Sequence, residues 1–164
     1  MKLPNHTVYT HIPSPLGQIT LAAAGDKLVG AWFEAQAHWP DLSGCTQTPG
    51  HPVLQQAAEQ LAEYFAGQRR QFELPLSLSS GTAFQQKVWQ ALLGIPCGQL
   101  RSYQDISIAM GQPTAMRAVG GAVGRNPLSI IVPCHRVVGS HGALTGYAGG
   151  LDRKTALLQL EGSL

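Results

Sequence analysis

The sequence predicts an N-terminal α/β domain, a small antiparallel sheet plus one helix, followed by a mostly α-helical C-terminal domain. Three observations support this fold class. Residues 8–34 alternate short apolar segments with turn signals, residues 52–67 carry apolar side chains at helical spacing, and residues 101–126 contain two short helical patterns around a turn. The chain has 164 residues, enough for two small domains, which we expect at residues 1–78 and 79–164.

The N-terminal half contains its strand and helix signals in a simple order. Pro-Leu-Gly and Gly-Asp turn signals divide residues 8–34 into two or three antiparallel strands, and residues 38–51 are predicted to form a loop. The helix that follows is predicted to end at Gly67, a residue type favoured just after a helix C-terminus. Residues 71–78 alternate polar and apolar side chains, which predicts a strand.

The C-terminal half begins with a helix that has clear start and stop signals. Thr82, followed three residues later by Gln85, is a capping-box pattern, and the helix is predicted to run to Ile95, where Pro96 ends it. Ser102 can cap the next helix, and a second helix follows after a turn that contains a glycine and a proline. This pair has the helix-turn-helix pattern.

The second helix of that pair is rich in small residues. Each interior glycine costs a helix about 0.5–1 kcal/mol relative to alanine, so three of them indicate that another backbone must approach closely. Two interpretations stay open: tight packing on a neighbouring element, or contact with the backbone of a ligand. Arg117 is the single charged side chain between Ala115 and Gly124. The small residues are Ala115, Ala118, Gly120, Gly121, Ala122 and Gly124.

Composition limits the class of protein. The hydrophobic content is 44%, and the apolar runs are too short to span a bilayer, so we expect no membrane association. Three cysteines without framework spacing argue against a disulfide scaffold and for a reducing, cytoplasmic compartment. The scattered histidines and cysteines match no zinc motif, so we expect neither a metal nor a cofactor.

Charge is distributed unevenly, although the formal net charge is only +2. Residues 1–81 carry four basic and six acidic residues, whereas residues 82–164 carry seven basic and three acidic ones. Five of those seven basic residues are arginines, which bind phosphate well. The C-terminal half therefore fits a polyanionic partner, and a solvated basic face without a partner is the alternative.

The segment IIVPCHRVVG, residues 130–139, places Cys134 and His135 side by side. In a regular strand their side chains would point to opposite faces, but Pro133 interrupts a ladder, so we expect the strand to end or bend at Cys134. A nucleophilic cysteine needs a base, and that base needs an orienting acid. Glu161, one of three acids in this half, is the candidate acid. A buried structural cysteine is the alternative.

The segments IPCG, SYQDIS and AMRAVGGAVGRNPLSIIVPCHRVVGSHGALTGYAGGLDRKTALLQLEG closely resemble the O6-alkylguanine-DNA alkyltransferase (methylated-DNA–protein-cysteine methyltransferase) family. The resemblance is continuous over about residues 82–162, and its NP…VPCHRV core is highly specific; the first 81 residues match loosely, mainly in SPLG and YFAG. The resemblance implies an N-terminal α/β domain and a C-terminal winged helix-turn-helix that binds double-stranded DNA from the minor groove.

For activity, the resemblance implies DNA repair by direct, irreversible, single-turnover alkyl transfer. A nucleotide carrying O6-alkylguanine is flipped into a pocket and its alkyl group passes to Cys134; O4-alkylthymine is a second candidate substrate. His135 then acts as a base through a water, and Glu161 orients it. Asn126 fixes the turn before the active-site segment. Tyr103 helps to rotate the nucleotide and protonates the guanine leaving group.

The resemblance also implies residues for DNA binding and for the pocket. Arg117 would enter the vacated base stack, while the small-residue helix would lie in the minor groove without reading sequence. Ser129 stands where some relatives have proline in the pocket wall, which leaves the preferred alkyl size open. Leu144 lies in the same loop without an assigned role. The other DNA-binding residues are Tyr103, Ala115, Ala118, Gly120, Gly121 and Arg125, and the other pocket residues are Tyr147, Ala148, Gly149 and Lys154.

The resemblance predicts a monomer in solution, a candidate for cooperative binding along DNA, associated with the nucleoid if the source is bacterial. Two other functions stay open. One is non-catalytic lesion binding, as in alkyltransferase-like proteins that lack the cysteine, and the presence of Cys134 disfavours it. The other is a cysteine-based hydrolase or redox sensor, which depends on whether Cys97 lies near Cys134 as a resolving thiol.

Overall fold

The computed structural model describes residues 2–164, and its N-terminal half is a four-stranded sheet in the order β3-β2-β1-β4. β2 pairs antiparallel with both β1 and β3, whereas the short β4 adds in parallel to β1. The predicted antiparallel sheet is confirmed, and β4 is an addition within the segment predicted to be loop. The strands are β1 Val8–Ile12, β2 Ile19–Ala24, β3 Lys27–Phe33 and β4 Thr46–Gln47.

The sheet is covered on both faces. Helix α1 (Pro52–Phe65) shares a buried apolar cluster with one face, in which Leu21 of β2 lies with Leu54 of the helix. Side chains alternate along a strand, so Trp32 belongs to the opposite face, where it anchors a smaller cluster. Gly30 is required there, because a Cβ at that position would lie 1.9 Å from the Trp32 ring.

The C-terminal half is mostly helical, as predicted. Thr82 and Gln85 form the expected capping box, but α2 ends at Leu93, with Gly94 at its C-cap, two residues before the predicted end. Ser102 caps α3, so the helix-turn-helix prediction is confirmed in its start and order. The elements are α2 Ala83–Leu93, β5 Arg101–Ser102, α3 Tyr103–Ala109, α4 Met116–Gly124, β6 Val137–Val138 and α5 Leu151–Glu161. β5 and β6 pair in parallel, and residues 139–150, between β6 and α5, are called the wing loop below.

The prediction of a strand over residues 71–78 is wrong. Only Leu76 pairs there, in an isolated bridge with Leu28 of β3. Leu28 donates its backbone N–H to the carbonyl oxygen of Pro75 at 2.8 Å and accepts from Ser77 at 2.9 Å. Pro75 has no N–H to continue a ladder, so the segment stays extended without becoming a strand.

The prediction of a strand leading into Cys134 is also wrong. Ile130 has a φ of 72°, a left-handed conformation that is rare for a β-branched residue. The chain closes into turns instead, with the Val132 N–H donating to the Leu128 carbonyl and the Cys134 N–H donating to the Val132 carbonyl. Tertiary packing in a fully buried site overrides the strand propensity of the run.

The two halves share one buried cluster and direct backbone hydrogen bonds. Ala31 of β3 donates to the Pro127 carbonyl at 2.8 Å, and Ser129 donates to the Ala31 carbonyl at 2.9 Å. The segment that enters the Cys134 turn is therefore laid against the N-terminal sheet. Within residues 2–164, no helix has the length and apolar character needed to cross a membrane.

Candidate active site

The turn that carries Cys134 is held by the side chain of Asn126, directly after α4. The buried Asn126 Nδ2 donates to the carbonyl oxygens of Val132 at 2.8 Å and Leu128 at 3.3 Å, and Oδ1 accepts from the Leu128 N–H at 2.9 Å. The same Nδ2 reaches Cys134 Sγ at 3.1 Å. Asn126 thus ties the backbone of the turn to the thiol that the turn presents.

Cys134 opens a single 3₁₀ turn, Cys134–Arg136, and its side chain is buried. Burial raises the pKa of the thiol, and the hydrogen bond from Asn126 and the charge of Lys154 offset only part of this effect. The thiol is therefore protonated near neutral pH. A reaction that uses the thiolate must remove this proton in place.

His135 is completely buried and its Nε2 lies 2.7 Å from Oε2 of Glu161. A carboxylate only accepts hydrogen bonds, so we assign the ring proton to Nε2, and Nδ1 is left as the acceptor. Nδ1 is buried and has no hydrogen-bond partner among residues 2–164. Burial lowers the pKa of His135, and Glu161 opposes this, so the imidazole is neutral near pH 7 and able to accept a proton.

Two residues that the sequence analysis missed complete the surroundings of Glu161. Arg136 donates from Nε to Oε1 at 2.8 Å and from a terminal nitrogen to Oε2 at 2.9 Å. Tyr64 donates from its hydroxyl to Oε2 at 2.6 Å. Burial opposes ionisation of Glu161, but the hydrogen bonds from His135, Arg136 and Tyr64 hold its pKa well below the ordinary value.

The sequence offers different signals for these two residues. Arg136 directly follows the Cys-His pair, and that adjacency could have marked it. Tyr64 lies 97 positions before Glu161, on a helix whose apolar spacing indicates only a core residue. Nothing in the sequence pattern connects it with the site.

A cavity of about 250 Å³ opens beside Cys134. Tyr103, the first residue of α3, and Tyr147 of the wing loop lie on its wall, and His38 of the N-terminal half stands among its lining residues. The site is thus built from both halves of the chain. The lining residues are Ala37, His38, Tyr103, Gly120, Val123, Gly124, Cys134, Gly146, Tyr147 and Ala148.

The loop over this cavity is tied down on two sides. The buried Lys154 donates from Nζ to the carbonyl oxygens of Val137 at 2.6 Å and Thr145 at 2.7 Å, and burial lowers its pKa to about 8. On the other side, the Ala148 carbonyl accepts from the Ala37 N–H at 2.9 Å. Lys154 was predicted to belong to the pocket, and it supports the loop from behind.

Three further predicted pocket residues occupy different positions. Gly149 lies behind the lining, where a Cβ would meet the Tyr147 ring at 2.8 Å, so only glycine fits there without a shift. Ser129 is buried and donates to Oε1 of Gln36 at 3.3 Å, outside the lining. Leu144 is half-buried in the wing loop and does not line the cavity. The hydroxyl of Tyr147 is buried without a hydrogen-bond partner in residues 2–164.

The helix-turn-helix presents an open groove of about 610 Å³ next to the cavity, between α3, α4 and the wing loop. Tyr103 lines both the groove and the cavity, and its hydroxyl accepts a hydrogen bond from Thr145 at 3.3 Å. Arg117 lines the groove as an exposed side chain. Of the other predicted DNA-binding residues, Ala118, Gly121 and Arg125 are exposed, and Ala115 and Gly120 are half-buried.

The glycines of α4 are not required by packing within residues 2–164. A Cβ at Gly121 or Gly124 would meet nothing within 4 Å, and one at Gly120 would lie 3.9 Å from the Tyr103 ring, an ordinary contact. Tight packing on a neighbouring element therefore does not account for them. The open face of α4 favours the interpretation in which a ligand backbone approaches.

Cys97 and Cys134 face different spaces. Cys97 lines a groove with Arg70, Phe72 and Ile131, separate from the cavity lined by Cys134. Each of the three cysteines is a free thiol. Within residues 2–164, no group of three or more His, Cys, Asp or Glu side chains is placed to hold a metal ion.

Comparison with known proteins covers nearly the whole chain. Residues 7–78 match the family model "6-O-methylguanine DNA methyltransferase, ribonuclease-like domain", and residues 83–163 match "6-O-methylguanine DNA methyltransferase, DNA binding domain". The fold and the site together are those of a two-part alkyltransferase with a cysteine in its pocket. The chain belongs to the 6-O-methylguanine DNA methyltransferase family.

Individual relatives support this assignment. A methylated-DNA–protein-cysteine methyltransferase of Mycobacterium tuberculosis is 50% identical over 155 residues, which is 94% of this chain and 92% of the relative. A constitutive methylated-DNA–protein-cysteine methyltransferase of Bacillus subtilis is 50% identical over 157 residues, covering 93% and 94%. The crystal structure of M. tuberculosis OGT in complex with DNA superposes with a TM-score of 0.89 at 49% identity, covering 95% of this chain and 93% of that one.

Proposed function

We propose that this chain repairs alkylated DNA by transferring the alkyl group of O6-alkylguanine irreversibly to Cys134. One observation carries the proposal: a buried thiol lines a small cavity with the Asn126 amide on its sulfur, and the next residue of the same turn, His135, is paired with Glu161. The relatives are named methylated-DNA–protein-cysteine methyltransferases, and this name supports the same reaction.

The chemistry is an in-line displacement at the alkyl carbon. Nδ1 of His135 takes the thiol proton through one water, and the carboxylate of Glu161 supports the positive charge that forms on the ring. The sulfur then forms a bond to the alkyl carbon as the bond from that carbon to O6 breaks. The electron pair goes to the guanine, which gains a proton, so the products are a thioether and an unmodified base.

Tyr103 is the candidate donor of the proton that guanine gains. Its hydroxyl accepts a hydrogen bond from Thr145, which leaves its own O–H free to donate into the cavity. A positioned acid of this kind lowers the barrier as charge develops on the leaving group. The carbon–sulfur bond of a thioether is not hydrolysed by water, so each chain acts once.

The DNA partner fits the groove between α3, α4 and the wing loop. The exposed Arg117 and Arg125 supply positive charge, and the small residues of α4 allow a backbone to lie close. We assign Arg117 to the space that the flipped nucleotide leaves in the base stack, which offsets part of the few kcal/mol that flipping costs. The continuity of groove and cavity through Tyr103 provides the path into the pocket.

The finer aspects of this function are part of the same proposal. The DNA partner is double-stranded and carries O6-alkylguanine, and the chain binds it as a monomer in the cytoplasm, at the nucleoid in a bacterial source. A redox sensor would need a resolving thiol near Cys134, and Cys97 opens into a different groove. A lesion binder without chemistry would have no use for a thiol in the wall of the cavity.

Intact-protein mass spectrometry with an oligonucleotide duplex containing O6-methylguanine tests the proposal. We expect one methyl mass per chain, mapped to Cys134, and no further product after one equivalent of lesion. The matched control is Cys134→Ser, which should bind the duplex and gain no mass. Repeated turnover, or a methyl group on Cys45 or Cys97, would show that the proposal is wrong.

A further inference from the structure

Tyr64 of the N-terminal half lies in direct contact with the acid of the relay. It is on α1, 2% exposed, and its ring packs against Phe65 and Phe72 with centroid distances of 5.3 and 5.5 Å. These neighbours fix the direction of the hydroxyl, which reaches Glu161 Oε2 at 2.6 Å. Burial raises the pKa of Tyr64 well above its ordinary value, so the hydroxyl keeps its proton and acts as a donor.

The carboxylate of Glu161 accepts four hydrogen bonds, and three of them end on Oε2. Oε1 accepts from Nε of Arg136, and Oε2 accepts from His135, Arg136 and Tyr64. Each carboxylate oxygen has about two lone-pair sites, so the three donors on Oε2 compete for two sites, whereas Oε1 accepts a single donor. Arg136 neutralises the charge of Glu161, whereas Tyr64 adds a hydrogen bond without adding charge.

Tyr64 and His135 donate to the same oxygen atom. A strong donor on Oε2 withdraws electron density and makes that oxygen a weaker acceptor for the second donor. Without the Tyr64 hydroxyl, Glu161 would be more basic and would stabilise a protonated His135 more strongly. The contact therefore acts on the base that takes the thiol proton, although Tyr64 touches neither the thiol nor the cavity.

We propose that Tyr64 is a positioning residue that holds the Glu161 carboxylate and limits how strongly it supports a proton on His135. The N-terminal half would then contribute to reactivity as well as to the fold. This inference rests on the proposed function for its kinetic consequence, but its effect on His135 is independent of any substrate. The other charged groups that act on His135 are Arg136 and Lys154, the titratable side chains of Cys97 and Tyr147 lie close enough to Glu161 to interact with its charge, and all four are unchanged in the variants below.

The first test is Tyr64→Phe, followed by NMR titration of ¹⁵N-labelled histidines in the full-length protein, with the His135 signal assigned by its loss in His135→Asn. We expect the titration midpoint of His135 to move upward by about 0.5–1 unit. The single-turnover rate on O6-methylguanine duplex should fall about 3- to 10-fold below that midpoint, because one pKa unit corresponds to a tenfold change in the neutral fraction. The rate on the high-pH plateau should change much less.

Tyr9→Phe is the matched control, because Tyr9 lies on β1 and makes no contact with Glu161 among the hydrogen bonds of residues 2–164. It should leave the titration and the pH profile unchanged. A second measurement keeps the inference testable if Tyr64→Phe does not fold. Replacement of Tyr64 by 3-fluorotyrosine keeps the shape and strengthens the donor, so the midpoint should move downward.

The outcomes separate this inference from the proposed function. An unmoved His135 midpoint in both Tyr64 replacements, or an equal loss of rate at every pH, would overturn the positioning role even when the wild-type protein transfers alkyl groups normally. Absence of methyl transfer by the wild-type protein would overturn the proposed function, while the NMR titration would still decide the effect of Tyr64 on His135.

Discussion

Gly121→Ala should stabilise the fold and weaken DNA binding at the same time. Gly121 lies inside α4, is exposed, and a Cβ there would meet no atom within 4 Å in the described part of the chain. The added methyl group therefore causes no internal clash, and alanine removes the entropic cost of a helical glycine. We expect a gain of about 0.5–1 kcal/mol in the free energy of unfolding. For a chain of this size that raises Tm by about 1–4 °C.

On DNA the same methyl group should be unfavourable. If a nucleic-acid backbone lies against α4, the methyl group occupies space that the complex needs. Overpacking by a methyl or methylene group typically costs about 1–3 kcal/mol, so we expect DNA affinity to fall by about 5- to 150-fold. The single-turnover rate at saturating DNA should fall less than the affinity, because Cys134 and its relay are untouched.

The measurements are thermal unfolding and fluorescence-anisotropy titration of a lesion-free duplex at one fixed salt concentration. Ala62→Gly, at an exposed position inside α1 and away from the groove, is the matched control: it should lower Tm by a similar amount and leave DNA affinity nearly unchanged. A Gly121→Ala protein that is more stable and binds DNA as tightly as wild type would refute the close approach to α4. A Gly121→Ala protein with a lower Tm would refute the reasoning about its packing.

Two further predictions concern the relay and the groove. Glu161→Gln should slow alkyl transfer by about 10²-fold while DNA affinity stays nearly intact, because positioned general-base assistance is typically worth about 10²–10⁴-fold; a rate equal to wild type in single-turnover assays would remove Glu161 from the relay. Arg117→Ala should slow repair of duplex DNA more than reaction with free O6-methylguanine, which needs no flipping, and a lesion opposite an abasic site should regain part of the rate. Arg125→Ala is the control for simple phosphate attraction, which reduces the salt slope of binding by about one unit. Equal losses on duplex and free base for Arg117→Ala would assign it to the pocket or the fold.

Local signals in the sequence were sufficient for the helices and for the three antiparallel strands of the N-terminal sheet, but not for its short parallel strand β4. The capping residues Thr82 and Ser102 mark helix starts because their side chains bond to backbone N–H groups only three residues away. Such short-range interactions are visible in the sequence itself. The strand prediction before Cys134 failed because Asn126 occupies the backbone groups that a ladder would use, and Ile130 adopts a left-handed conformation. Neither effect follows from strand propensity.

The site was predictable where its residues are near one another in the chain or belong to the resemblance. Cys134 and His135 are adjacent, and the resemblance supplied Glu161 and Asn126. Tyr64 was not predictable, because its contact with Glu161 depends on how α1 packs against the C-terminal half. A buried tyrosine at helical spacing indicates a core position, and only the tertiary structure shows where its hydroxyl points.

The concealment of Cys134 has a consequence for a protein that is consumed by its own reaction. Cys134 is 5% exposed, whereas Cys45 and Cys97 are half-buried, and burial raises the pKa of all three thiols. Soluble oxidants and electrophiles react with exposed thiolates. Cys134 is buried and little of it is in the thiolate form, so these reagents should react with it slowly. The fold thus protects the acceptor thiol of a chain that can react once, so that it stays available for an alkyl group that enters through the cavity. Oxidation or alkylation by reagents in solution should occur first at Cys45 and Cys97, which are more exposed.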